Sequence, residues 1–204
     1  MVSPSPLQHG QYYHIYNRGN NRENIFIQDR NYRHFLKLYA KYIEPVADTY
    51  AYCLLRNHFH LSVWIKTIEE QQTQTLEVSK TPRILKPSQQ FGNLFNAYAK
   101  AMNKAYNRTG SLFQNPFGRI PITSDTHFIR LITYIHQNPQ KHGLVDDFRT
   151  WTFSSYHALL SSKPTRIKRD EVLTWFKGVE DLKAAHRQVI TDRQVATLVV
   201  DDFD

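Results

Sequence analysis

The stretch NHFHLSVWIK, residues 57–66, constrains the chain more than any other. Phe59, Leu61, Val63 and Ile65 form one alternating set, and His58, His60, Ser62 and Trp64 form the other. Period-two alternation defines a strand with one face in the core. Successive side chains on a strand point to opposite faces, so both imidazoles project together while Phe59 enters the core. Two neutral imidazoles side by side can bind a metal. With 10 histidines in 204 residues, however, chance explains an H-x-H pair equally well, and the pair needs support from elsewhere.

The neighbouring segments supply partners for that strand. QYYHIYN (11–17) is aromatic and β-prone and predicts a first strand, followed by the turn-forming, arginine-bearing loop NRGNNREN. Asp29 can cap a helix that runs to about Glu44 and stops at Pro45. TYAYCLL (49–55) predicts a second strand, turning at Arg56-Asn57 into the histidine strand. Residues 67–90 are polar and carry two prolines, the composition of an exposed insertion loop. A helix resumes near Ser88, with Phe91, Leu94, Phe95, Tyr98 and Met102 at helical spacing. FGRIPI predicts a fourth strand, and Ser124 or Asp125 caps a last helix that Pro139 ends. This order predicts an α+β fold, a ferredoxin-like antiparallel sheet with helices packed mainly on one face. Residues 1–160 form the main domain, and 161–204 a charged, helical C-terminal extension.

Composition excludes several classes. Hydrophobic residues at 41% and aromatics at 13% are enough for a packed core, which argues against wholesale disorder. Cys53 is the single cysteine, so there is no internal disulfide and no cysteine cage for zinc. No apolar run approaches the ~18 residues a membrane helix requires. MVSPSPLQHG lacks the regions of a signal peptide, which makes a reducing, cytoplasmic location the expectation. A formal charge of +8 suits a polyanion, and nucleic acid is the commonest one in that compartment.

Support for the histidine pair comes from the last helix. Tyr134 and Asn138 are four residues apart and share a flank beside the apolar stripe of Phe128, Leu131, Ile132 and Ile135. A phenol and an amide oxygen one turn apart can address the same small target. Among 12 tyrosines an ordinary interfacial Tyr is the competing explanation.

YHIYNRG, CLLRNHFHLSV, GSLFQNPFGRI, YIHQNPQKHGLV and WTFSSY occur in an order and spacing that resembles the single-tyrosine HUH transposases. Within that family the chain looks most like the REP-associated tyrosine transposases, over roughly residues 10 to 158. The resemblance implies the HUH endonuclease architecture, with His58 and His60 holding a divalent ion that polarises a phosphodiester of single-stranded or hairpin DNA. It implies that Tyr134 attacks the phosphorus and that Asn138, often glutamine in the family, completes the metal site. Neutral nitrogen and amide ligands suit Mg²⁺ or Mn²⁺. The reaction exchanges one phosphodiester-like bond for another through a 5′-phosphotyrosine, so no nucleotide triphosphate is needed, and no G-x-x-x-x-G-K-[ST] loop occurs. Insertion-sequence relatives are dimers and others are monomeric, which leaves the oligomeric state open.

Arg18, Arg22, Lys100, Lys104, Arg119 and Lys141 are candidate phosphate contacts, each set against the ordinary role of a solvated surface charge. Two readings of other classes compete. A non-catalytic binder could stack bases on exposed Tyr12, Tyr16 and Trp64 of the sheet. A zinc hydrolase would need H-E-x-x-H or a third strong ligand, and neither occurs.

Overall fold

The computed structural model describes residues 6–78 and 84–195. Strands β1 (Gln11–Arg18), β2 (Ala47–Leu54), β3 (His58–Ile65) and β4 (Gly118–Ile122) form one antiparallel sheet in the order β2-β3-β1-β4. With α1 (Asp29–Tyr42) after β1 and α3 (Pro87–Ala105) before β4, this is the ferredoxin-like arrangement.

The pleat sorts β3 as its alternation requires. Phe59, Leu61, Val63 and Ile65 join Tyr13 and Ile15 in a core closed by Phe35 and Tyr39 of α1 and by Phe91, Leu94, Phe95 and Tyr98 of α3. The histidine face turns the other way and is covered by α4 (Asp125–Lys141), whose Phe128, Leu131, Ile132 and Ile135 pack with Tyr50, Cys53 and Leu55. The expected gathering of helices on one face thus holds for α1 and α3, while α4 occupies the opposite face.

Three local expectations differ from the structure. Residues 68–78 of the predicted insertion loop form helix α2 (Ile68–Val78), and α3 already begins at Pro87. The sequence signal is T-x-x-E: the Glu70 amide donates to Thr67 Oγ1 at 3.2 Å and the Thr67 amide to Glu70 Oε2 at 2.7 Å, a reciprocal cap. Gln28, not Asp29, caps α1, through a box closed by Asn31. Pro139 does not end α4, which continues to Lys141. Near a helix C-terminus the loss of one amide donor is tolerable, because the following amides still bond: His142 N–H reaches the Asn138 carbonyl at 2.9 Å.

The C-terminal extension lies on the α4 side. Its helices α6 (Arg169–Trp175), α7 (Val179–Arg187) and α8 (Asp192–Val195), with α5 (Tyr156–Leu160) at the end of the main domain, contribute Val172, Leu182, Val195 and Leu159 to the α4 core. A buried chain of hydrogen bonds pins them. His186 Nδ1–H donates to the Leu182 carbonyl at 2.8 Å, His136 Nδ1–H to His186 Nε2 at 2.8 Å, and Ser155 Oγ–H to His136 Nε2 at 2.7 Å. Ser155 Oγ in turn accepts from the Tyr52 amide at 2.9 Å. A carbonyl at one end and an amide at the other leave one arrangement in which every donor meets an acceptor, with both rings neutral.

Burial pushes His186 down to about 4 from its ordinary 6.5, and burial beside His186 holds His136 well below the usual imidazole range. The unfolded chain therefore binds protons that the folded one refuses. The His186 contribution is complete above pH 6.5 and is lost as pH falls toward 4. Unfolding free energy measured by urea titration should drop by up to ~3 kcal/mol across that window. His186→Gln should flatten the dependence; an unchanged slope in that variant would exclude this source.

Candidate active site

Cross-strand register assembles the site. On β3 and β1, His60 stands opposite Tyr16, Ser62 opposite His14, and His58 opposite Arg18. His14 Nε2 and His60 Nδ1 share a hydrogen bond of 2.9 Å, and the two rings stack at 5.1 Å with Tyr16 alongside His14 at 5.0 Å. Tyr16 lies across Gly118 of β4: a Cβ built there would come within 2.1 Å of the Tyr16 ring, so only glycine leaves the ring its place.

Each candidate ligand ring is held through one nitrogen. His58 Nδ1–H donates to Asn57 Oδ1 at 2.7 Å, and His60 Nδ1 is engaged by His14. Nε2 is then the atom each ring would offer a metal, the arrangement in which an outer partner fixes the tautomer. Burial first, then the neighbouring His14, His142, Arg18 and Lys141, holds His60 well below the usual imidazole range, and a neutral ring is the ligating form.

The helix brings the second half. Tyr134, Asn138 and His142 follow one another at four-residue steps along one flank of α4 and its C-cap. Tyr134 meets His60 with ring centroids 5.8 Å apart, and His142 meets His58 at 4.8 Å. Asn138, between them, therefore faces the gap between the two histidines. Its side chain is fully buried, and neither Oδ1 nor Nδ2 has a hydrogen-bond partner in the protein. A buried amide left in this way costs ~1–3 kcal/mol, which folding alone gives no reason to retain. Among the described residues no group of three His, Cys, Asp or Glu could hold a metal, so an ion bound by the two imidazoles would draw its further ligands from other donors, of which the buried Asn138 oxygen is a candidate. Two imidazole nitrogens and one amide oxygen would form a neutral, thiolate-free donor set that leaves a divalent ion several positions for water.

The basic candidates divide. Arg18 and Arg22 line a cavity of about 220 Å³ with His58 and His142. Arg22 stands on left-handed backbone (φ 60), as does Asn21 (φ 52), an unusual conformation for non-glycine residues. Lys141 Nζ lies 4.8 Å over the Tyr134 ring. Lys100 and Lys104 are exposed on α3, across the sheet from the histidines. Arg119 faces that side too, stacked over Phe117 at 3.9 Å.

Tyr12, needed for an open base-stacking sheet, is packed against Phe128 and Trp175, and Trp64 is packed against Tyr12. The sequence reading missed His14, which the Y-H-I alternation of β1 placed on the histidine face, and His142, one turn beyond Asn138. A cavity of about 600 Å³ between α1 and the extension is mostly apolar, is lined by Phe35 and Leu61, and opens on the face away from the histidines.

No protein-family model matches the chain. In sequence it is 26% identical over 113 residues to a Haemophilus influenzae protein named as a REP-associated tyrosine transposase, covering 54% of this chain. The match spans 59% of that relative's own length. In structure it superposes on a REP-associated tyrosine transposase bound to a REP hairpin, with a TM-score of 0.57 and 18% identity over 80% of this chain and 88% of the other. The fold is therefore that of the solved transposase. In sequence and in fold the chain is similar to REP-associated tyrosine transposases, the resemblance its motifs carried.

If Asn138 is kept for a ligand and not for the fold, Asn138→Leu should raise stability by ~1 kcal/mol, because an apolar side chain of similar size removes the unpartnered amide. Thermal unfolding checks this. A loss of stability would mean that the amide has a structural task.

Proposed function

We propose that this chain is a single-stranded DNA strand transferase acting on a hairpin-bearing DNA, with Tyr134 as nucleophile. The observation that carries the reading is the placement of one tyrosine beside His60, and of one buried amide without a hydrogen-bond partner a helical turn further on, on the helix flank that covers the two histidines. The bound hairpin of the solved neighbour supports extending a hairpin partner to this chain. No helix among the described residues is long and apolar enough to cross a membrane.

His58, His60 and Asn138 would hold a divalent ion, Mg²⁺ or Mn²⁺, which when bound neutralises charge building on the phosphate oxygens. His14 and Asn57 orient the two imidazoles through their Nδ1 atoms. Tyr134 Oη forms a bond to phosphorus as the bond from phosphorus to the 3′ oxygen breaks. The phenolic proton given up and the proton taken by the 3′ oxygen balance, so no external energy source enters. Lys141 places a positive charge over the nucleophile's ring, near the developing negative charge. Because Tyr134 is buried, a strand must enter with its phosphate unpaired and extended, which a stacked duplex does not offer.

The attached product is the 5′ end of the downstream fragment. With Mn²⁺ and single strands drawn from palindromes flanking the gene, a 3′-labelled strand should shift the protein on a denaturing gel while a 5′ label runs free. Tyr134→Phe should abolish the shift and retain binding, since only a hydroxyl is removed. Label on the opposite fragment, or a shift that survives in the variant, contradicts the assignment.

A further inference from the structure

The cavity beside His58 does not end there. It shares Asn24 and Arg56 with a second cavity of about 560 Å³, whose floor is Phe26 and Tyr32 and whose walls include Trp151 and Phe153. Phe26 and Tyr32 are buried, Trp151 and Phe153 half-buried, and Asn24 and Arg56 exposed. We infer that the two cavities form one track for a single strand, with a phosphate held by Arg18, Arg22 and Arg56 next to His58 and the neighbouring base seated in the aromatic groove. This rests on the reading of the chain as a DNA-binding protein, and it adds Arg56 and the groove, which no motif assigned.

The track is built, not incidental. The loop after β1 is tied to the β2–β3 turn, where the Ile25 and Phe26 amides both donate to the Arg56 carbonyl at 2.9 Å and the Gly19 amide to that of Asn57 at 2.8 Å. The opposite wall hangs on the end of β2, with Trp151 Nε1–H donating to the Leu54 carbonyl at 2.9 Å and the Leu54 amide to that of Phe153 at 2.9 Å. Phe153 stacks face to face on Tyr32 at 3.9 Å, which fixes the floor. Arg56 lines the same groove as Tyr32, and its charge opposes the burial that raises the Tyr32 phenol to about 12. Aromatic surface bordered by an exposed guanidinium is the combination that holds unpaired bases without regard to sequence. Asp29 at the rim faces Arg33 at 4.0 Å and is the acidic group lining the groove. A cavity of this size lies within the range of small-ligand sites.

Binding tests the track apart from chemistry, in protein carrying Tyr134→Phe and without metal. Of the three tryptophans, Trp64 and Trp175 pack beneath α4, leaving Trp151 as the one on the groove. A short oligothymidylate should quench tryptophan emission, and Trp151→Phe should remove most of the quench while keeping a ring in place. Arg56→Ala, at an exposed position, should leave the melting temperature unaltered and lower the salt slope of binding by about one. Binding with an unaltered slope in Arg56→Ala and an unchanged quench in Trp151→Phe would overturn the track and leave the strand-transfer reading standing. A groove that responds as described, together with no covalent adduct when the protein retaining Tyr134 is given Mn²⁺ and the same strands, would overturn strand transfer and keep the track. Absence of binding by every form would overturn both.

Discussion

The pairing register of β3 against β1 is the constraint on which the remainder depends. Side chains alternate strictly, so a slip of one residue would send His58 and His60 into the apolar core and bring Phe59 and Leu61 out under α4. Both faces guard against this. Phe59, Leu61, Val63 and Ile65 are buried beneath α1 and α3, and His14, opposite Ser62, reaches His60 only in the observed register. The same pairing sets Tyr16 over Gly118 and Arg18 at the mouth of the His58 cavity. One strand pair thus fixes the orientation of the rings and the position of the nearest positive charge.

Helix α4 must be held firmly against that face while carrying polar groups into it. Phe128, Leu131, Ile132 and Ile135 are all buried, and at ~1.5–3 kcal/mol each their burial contributes roughly 6–12 kcal/mol as an upper estimate. That exceeds the ~1–3 kcal/mol cost of an unpartnered amide at Asn138 several times over. The helix can therefore afford a site that is locally unfavourable. The His136–His186–Ser155 chain anchors the same helix from behind, on the side away from the histidine pair. Rigidity at Tyr134 is supplied by groups that have no part in the proposed chemistry.

Much of this was legible in the sequence because it depends on periodicity. The alternation of residues 57–66 predicted β3, and helical spacing predicted the buried stripes of α3 and α4. His58, His60, Tyr134 and Asn138 could be paired because motif spacing resembled a known family. What periodicity could not disclose was contact between distant segments. His14 reads as one more β-strand histidine until β1 is laid against β3, and His142 until α4 is laid against the sheet. Lys100 and Lys104 show the converse: charge drew attention to them, yet α3 carries them across the sheet from the histidines. Helix α2 went unread because polar composition outweighed a four-residue cap, Thr67 to Glu70.

The central claim is that one particular tyrosine is the nucleophile. It is tested most directly by trapping protein on a cleaved strand, digesting with trypsin and locating the nucleotide-bearing peptide by mass spectrometry. Cleavage after Arg130 and Lys141 releases residues 131–141, a peptide whose single tyrosine is Tyr134. The account predicts the added nucleotide mass on that peptide and on no other. An adduct on a peptide containing Tyr12 or Tyr16, or on none, would contradict it.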